Sequence, residues 1–171
     1  MLDKGGAAVA KRWIRLVLWL CVILTATMIF VFSSQDGETS GAISQGIIRM
    51  ILDGLGRFFG EMPEGEREEL LLKLDQLIRK AAHMTEFALL GFFTLLLVRS
   101  YRVRWEKLIT WGGGTLYAVS DELHQQFSAG RVADFKDVCI DSLGVCIGIG
   151  IALFGIWMVR RKRRAGKKEG V

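Results

Sequence analysis

The sequence predicts an all-α integral membrane protein with four transmembrane helices, and three observations carry that prediction. First, the apolar residues of this 171-residue chain, 51% hydrophobic overall, gather into four blocks, 13–32, 81–98, 108–127 and 138–159. Second, the first and last blocks are almost free of charge, and each meets the roughly 20 residues that a hydrocarbon core of about 30 Å requires. Third, a soluble fold would have to bury helices that are apolar on every face, in a chain too small to cover them. A single proline argues against extended linkers, so one domain is expected, with a core over about 28–150 and a basic tail at 160–171.

The 13–32 block opens on a basic stretch, Lys4, Lys11, Arg12 and Arg15, like the start of a secretory signal. Its apolar stretch is longer than the usual 7–15 residues and no Ala-x-Ala site follows, so a retained helix is expected. Next comes an amphipathic helical segment over about 42–78. Ile43, Ile47, Ile48, Ile51, Leu55, Phe58 and Phe59 recur at helical spacing, opposite Ser44, Gln45, Arg49, Asp53 and Arg57. This pattern suits a helix lying on the membrane surface or capping the bundle. Pro63 interrupts it, and the acids of Glu64–Glu69 suit a helix N-terminus. Leu70, Leu71, Leu74, Leu77 and Ile78 continue toward Arg79 and Lys80, leaving open a direct run into the 81–98 span. Trp13, Trp19, Trp105, Trp111 and Trp157 read as interface anchors. Cys21, Cys139 and Cys146 do not require a disulfide.

The third span is the informative one. Its uninterrupted apolar run, Leu108 to Val119, is only about 18 Å of helix. It reaches membrane length only by continuing through Asp121, Glu122, His124, Gln125 and Gln126 to about Phe127. Ionisable groups at that depth are costly and mark functional sites.

Charge sets the expected orientation. The N-terminus, the 99–107 loop and the tail hold 15 of the 23 Lys and Arg residues but only three of the 18 acids. This positive-inside bias puts both termini in the cytoplasm. The basic tail reads as a topology anchor on anionic lipid, not as a nucleic-acid surface, so no nucleic-acid partner is expected.

With that orientation, the membrane-level polar residues fall in the outer third of the bundle. Glu86 is about 7–8 Å inside its span, with His83 one turn shallower on the same face. Asp141 is about 5 Å inside the last span, and Asp121 and Glu122 about 8–9 Å inside the third. Asp134, Asp137 and Asp141 share one helix face, which Gly144 and Gly148 extend inward, allowing close approach of a neighbour. Asp121 and Glu122 point different ways, so one should serve the pocket and the other bond a loop or a lysine. Ser33, Ser34 and Gln35 close the outer end of the first span. Arg131, after Gly130 in an expected turn, is the natural cation for these acids.

One polar pocket opening outward is therefore expected, with His83, Glu86, Asp121, Glu122, His124, Gln125, Arg131, Asp137, Asp141, Ser34 and Gln35 as its ligand-binding residues. If it is an enzyme, Glu122, Glu86 and His83 are the acid–base candidates. Each residue also has a structural reading: His83 with Glu86 as an interhelical clamp, Asp121 as a cap at headgroup level, Asp134 and Asp137 as turn or N-cap residues. His83, His124, Glu122 and Asp141 are metal-ligand types, but no tight ligand spacing accompanies them, so neither metal nor cofactor is expected. Gly112-Gly113-Gly114 sits in an apolar span and reads as helix packing.

The motifs Arg79-Lys-Ala-Ala-His83-Met-Thr-Glu86-Phe, Ser120-Asp-Glu-Leu-His124-Gln-Gln-Phe127, Gly130-Arg131 and Asp137-Val-x-x-Asp141-x-x-Gly144 together resemble the VanZ-like membrane protein family. Phe32-Ser-Ser-Gln35 with Ser40 resembles the family's exit from its first helix, and Ala129 departs from the proline often found before Gly-Arg. The resemblance implies a bacterial plasma-membrane protein of the cell envelope, in a family named for association with teicoplanin resistance. It implies no reaction. Expected partners are membrane lipids and a lipid-linked cell-wall intermediate or lipoglycopeptide. The competing expectation is a membrane-embedded hydrolase or transferase acting on a phospholipid or polyprenyl phosphate.

Overall fold

A computed structural model describes residues 4–34, 37–60, 63–127 and 134–166. The described residues form five α-helices and no strand: α1 Lys4–Ser33, α2 Gly37–Phe59, α3 Glu64–Ser100, α4 Glu106–Gln125 and α5 Phe135–Gly166. Three of them, α1 from Ala8 onward, α3 and α5, are long and apolar enough to cross a membrane. The expected fourth span is not matched on those terms. Helix α4 ends at Gln125 and carries Glu106, Lys107, Asp121 and Glu122 within its 20 residues, which lowers its hydropathy while leaving its length at about 30 Å.

The expected 42–78 segment divides at Pro63. Its first part is α2; its second is the opening of α3, a continuous helix of 37 residues. Glu64 and Glu66 occupy the first turn of α3, where the helix dipole favours anions. Helix α2 turns Ile48 inward, while Ile47, Met50, Ile51 and Leu55 are exposed, so most of its described apolar stripe faces away from the bundle. It is held to α3 by polar contacts. Ser44 Oγ donates to the buried Asp75, which also pairs with Arg79 at 2.7 Å, and Arg67 pairs with Asp53.

Helix α3 is the hub, packing on all four other helices and most extensively on α5. Glycines make that contact close. A Cβ at Gly144 would lie 3.2 Å from the Met84 carbonyl carbon, and one at Gly91 would lie 3.0 Å from Val145 Cα. Ile29, Phe87, Leu90, Ala118, Val138 and Val145 form the core where α1, α3, α4 and α5 meet. Tyr117 braces it, its hydroxyl donating to the Ala26 carbonyl at 2.7 Å.

Polarity is arranged inside out. Leu20, Leu24 and Leu116 are 66%, 74% and 72% exposed, whereas Asp75, Asp121 and Asp141 are 1%, 4% and 3% exposed. Large exposed apolar surfaces are rare on soluble monomers and expected where lipid is the solvent. The five tryptophans are likewise exposed. Around the α3–α4 turn, Arg99 pairs with Glu106, Arg15 donates to the Ser100 carbonyl at 2.9 Å, and the Arg15 guanidinium stacks over Tyr101.

Candidate functional site

The polar residues of α3, α4 and α5 converge at the end of the bundle where α1 and α4 finish and α5 begins. Each side chain is placed by helical phase. On α3, His83 and Glu86 are three residues apart and share a face. On α4, Asp121 and Gln125 are four apart, and the Gln125 amide donates to Asp121 Oδ2 at 2.9 Å. On α5, Asp137 and Asp141 are four apart on the face turned to α3.

Between these faces lies a cavity of about 620 Å³. His83, Glu86, Glu122, Gln125, Asp137 and Asp141 line it, joined by Gln76, Arg79, Lys80 and Asp134. The volume lies within the roughly 300–1,000 Å³ range of small-molecule sites. Lys80 pairs with Asp137, tying α3 to the start of α5.

Asp121 and Glu122 do point different ways. Asp121 Oδ2 also accepts from Ser33 Oγ at 2.8 Å, which anchors the last turn of α1 to α4. Glu122 Oε1 accepts the Asp134 backbone N–H at 2.7 Å, so this carboxylate both lines the cavity and fixes the entrance to α5. Asp134 in turn accepts the Lys136 N–H at 2.9 Å, as a residue capping a helix start does. His83 Nδ1 approaches Asp141 Oδ2 at 4.0 Å. Among the described residues, Glu86 Oε2 and Asp121 Oδ1 are buried side-chain oxygens that accept no hydrogen bond.

Three expected members do not line the cavity: Asp121, held between Ser33 and Gln125, and the pair His124 and Ser34. His124 stacks on Phe30, with ring centroids 4.6 Å apart, and its Nε2 lies 3.2 Å from Ser34 Oγ. His124 and Ser34 thus form an α1–α4 contact away from the cavity. The expected residues Gln35 and Arg131, and the turn at Gly130, lie outside the described residues. Ser33 was expected only as a helix end, yet it is fully buried and holds Asp121. Its signal was its neighbour in motif: a small hydroxyl at the last turn of one span, level with a carboxylate on another.

A model of the VanZ/LLP1 family matches residues 17–158. The chain belongs to that family. No curated protein and no solved structure matches it. The matched VanZ/LLP1 region contains every described residue of the cavity, together with the glycines that let α5 approach α3. The family match and the site therefore cover the same helices.

Proposed function

We propose that this VanZ/LLP1 protein is a multi-pass protein of the bacterial plasma membrane that binds the headgroup of a lipid-linked envelope component. In this reading α4 is a fourth, short span, both termini are cytoplasmic, and the cavity opens to the outer side. The single observation that carries it is a cavity of about 620 Å³ lined with charge, in a bundle whose outer surface is apolar. A soluble headgroup would not need the apolar walls; a lipid tail would not need the acids.

The lining divides the work by chemistry. Arg79 and Lys80 supply positive charge suited to a phosphate. Glu86, Glu122 and Asp141 are acceptors suited to hydroxyl, amide or amine donors of a sugar or peptide. The ligand is accordingly an anionic amphipath with a donor-rich headgroup. Teicoplanin-type protection, as the family name suggests, would follow if the bound component were the drug's own target or a competitor for it.

The test is binding in nanodiscs. A short-chain polyprenyl diphosphate bearing an amino sugar should bind at least tenfold more tightly than the same polyprenyl alcohol. Glu86→Gln and Lys80→Met should each remove most of that difference. Equal affinity for the two lipids would refute the headgroup reading.

A further inference from the structure

We propose that His83, Asp121 and Asp141 form a binding site for a divalent transition-metal cation, of the Zn²⁺ or Mn²⁺ kind. The inference goes beyond the headgroup reading and stands without it. The three residues come from three different helices, α3, α4 and α5, and one potential ligand atom from each lies within 4.8 Å of the others. Around a zinc ion with bonds of about 2.0–2.2 Å, tetrahedral ligand atoms sit about 3.4 Å apart, so closure needs side-chain movements of about an ångström.

A second observation points independently to a ligand. Asp121 is only 4% exposed. Its Oδ2 is occupied by Ser33 and Gln125, while its Oδ1 is buried and accepts nothing among the described residues. A buried carboxylate oxygen without a donor costs the desolvation of that oxygen with no return. Glu86 Oε2 is in the same condition.

The charge balance asks for a cation as well. Asp141 lies in electrostatic reach of Asp121, Glu86 and Glu122, and Asp121 in reach of both glutamates. Among the described residues, the cavity's cations pair with acids other than Asp121 and Asp141, Lys80 with Asp137 and Arg79 with Asp75, and a bound phosphate would have to share them. Two positive charges at the His83–Asp121–Asp141 junction would offset this repulsion and satisfy Asp121 Oδ1 at once.

The donor set selects the class. One imidazole with two carboxylates suits zinc or manganese better than calcium or magnesium, which favour all-oxygen sites. The surroundings resemble a supporting shell: Ser33 and Gln125 orient Asp121 as outer partners orient metal-binding carboxylates. Three protein ligands leave a position for Glu86, water or a ligand oxygen.

The experiment uses the full chain in nanodiscs after chelator treatment. Calorimetry should show one Zn²⁺ per chain, and His83→Ala and Asp141→Asn should each weaken it at least tenfold. Co²⁺ added to the unsubstituted protein should give a visible absorption band that Zn²⁺ displaces, a readout independent of whether any variant folds. The proposal is overturned if the unsubstituted protein gives no such band. It is equally overturned if Zn²⁺ uptake is unchanged in the His83→Ala/Asp141→Asn double variant, or falls with His124→Ala but not with His83→Ala.

Discussion

Replacing Gly148 by alanine is expected to destabilise the protein by about 2 kcal/mol or more, while the same change at Gly150 should be neutral or stabilising. In an ordinary helix, glycine to alanine gains about 1 kcal/mol because it removes backbone freedom from the unfolded chain. Gly150 has open space around its absent side chain, so that gain should be realised there. At Gly148 a new Cβ would lie 2.8 Å from both the Ala88 carbonyl carbon and the Phe92 amide nitrogen. Those are backbone atoms of α3 and cannot rotate away, so α5 must move off α3. Overpacking of that kind costs about 1–3 kcal/mol. The opposite signs of two alanine substitutions two residues apart make the comparison sharp. Thermal unfolding in matched detergent reads it, and a Gly148→Ala protein as stable as the parent would refute the packing of α3 on α5. Because Asp141 rides on the same helix as Gly148, headgroup binding should weaken with it.

Phe87→Ala is expected to cost about 3 kcal/mol or more, and Phe87→Leu roughly half as much. Phe87 is fully buried and lies at the centre of the core that joins α1, α3, α4 and α5. Its ring packs against Tyr117 at a centroid distance of 6.0 Å, and Tyr117 is tied to α1 through the Ala26 carbonyl. Truncation therefore opens a void that several helices border and none can readily fill, the situation in which aromatic-to-alanine changes cost about 3–5 kcal/mol. Leucine refills part of the volume and should restore part of the stability. Denaturant or thermal unfolding measures both. A Phe87→Ala variant within about 0.5 kcal/mol of the parent would show that this core is not what holds the four helices together.

The apolar blocks at 13–32 and 138–159 were plain in the sequence because length and hydropathy alone mark a spanning helix. The level of the polar residues was also legible. Counting rise per residue put Glu86, Asp121, Glu122 and Asp141 at one depth, and they do lie around one junction. The shared face of Asp137, Asp141, Gly144 and Gly148 followed from helical phase. What phase within one helix cannot give is its rotation relative to its neighbours. His124 lies about 60° round α4 from Asp121, which was compatible with facing either the cavity or α1; it faces α1, where Phe30 and Ser34 receive it. For the same reason Asp121, equally readable as a headgroup-level cap, is among the most enclosed acids. The burial of Asp75 is not legible from its own helix, because one group that meets it, Ser44, belongs to α2. The fourth span is the least legible element, since α4 gains its length from polar residues that lower its hydropathy.

Helices α3 and α5 bring His83 and Asp141 together while α4 turns His124 away, an arrangement that chemical cross-linking reads out. Cys21, Cys139 and Cys146 are free thiols, so they are first replaced by serine or alanine. His83→Cys with Asp141→Cys is then compared with His124→Cys and Asp141→Cys, using a short bis-thiosulfonate reagent on the protein in membranes. The first pair should cross-link efficiently and the second should not. Cross-linking of the second pair in preference to the first would overturn this arrangement of the helices.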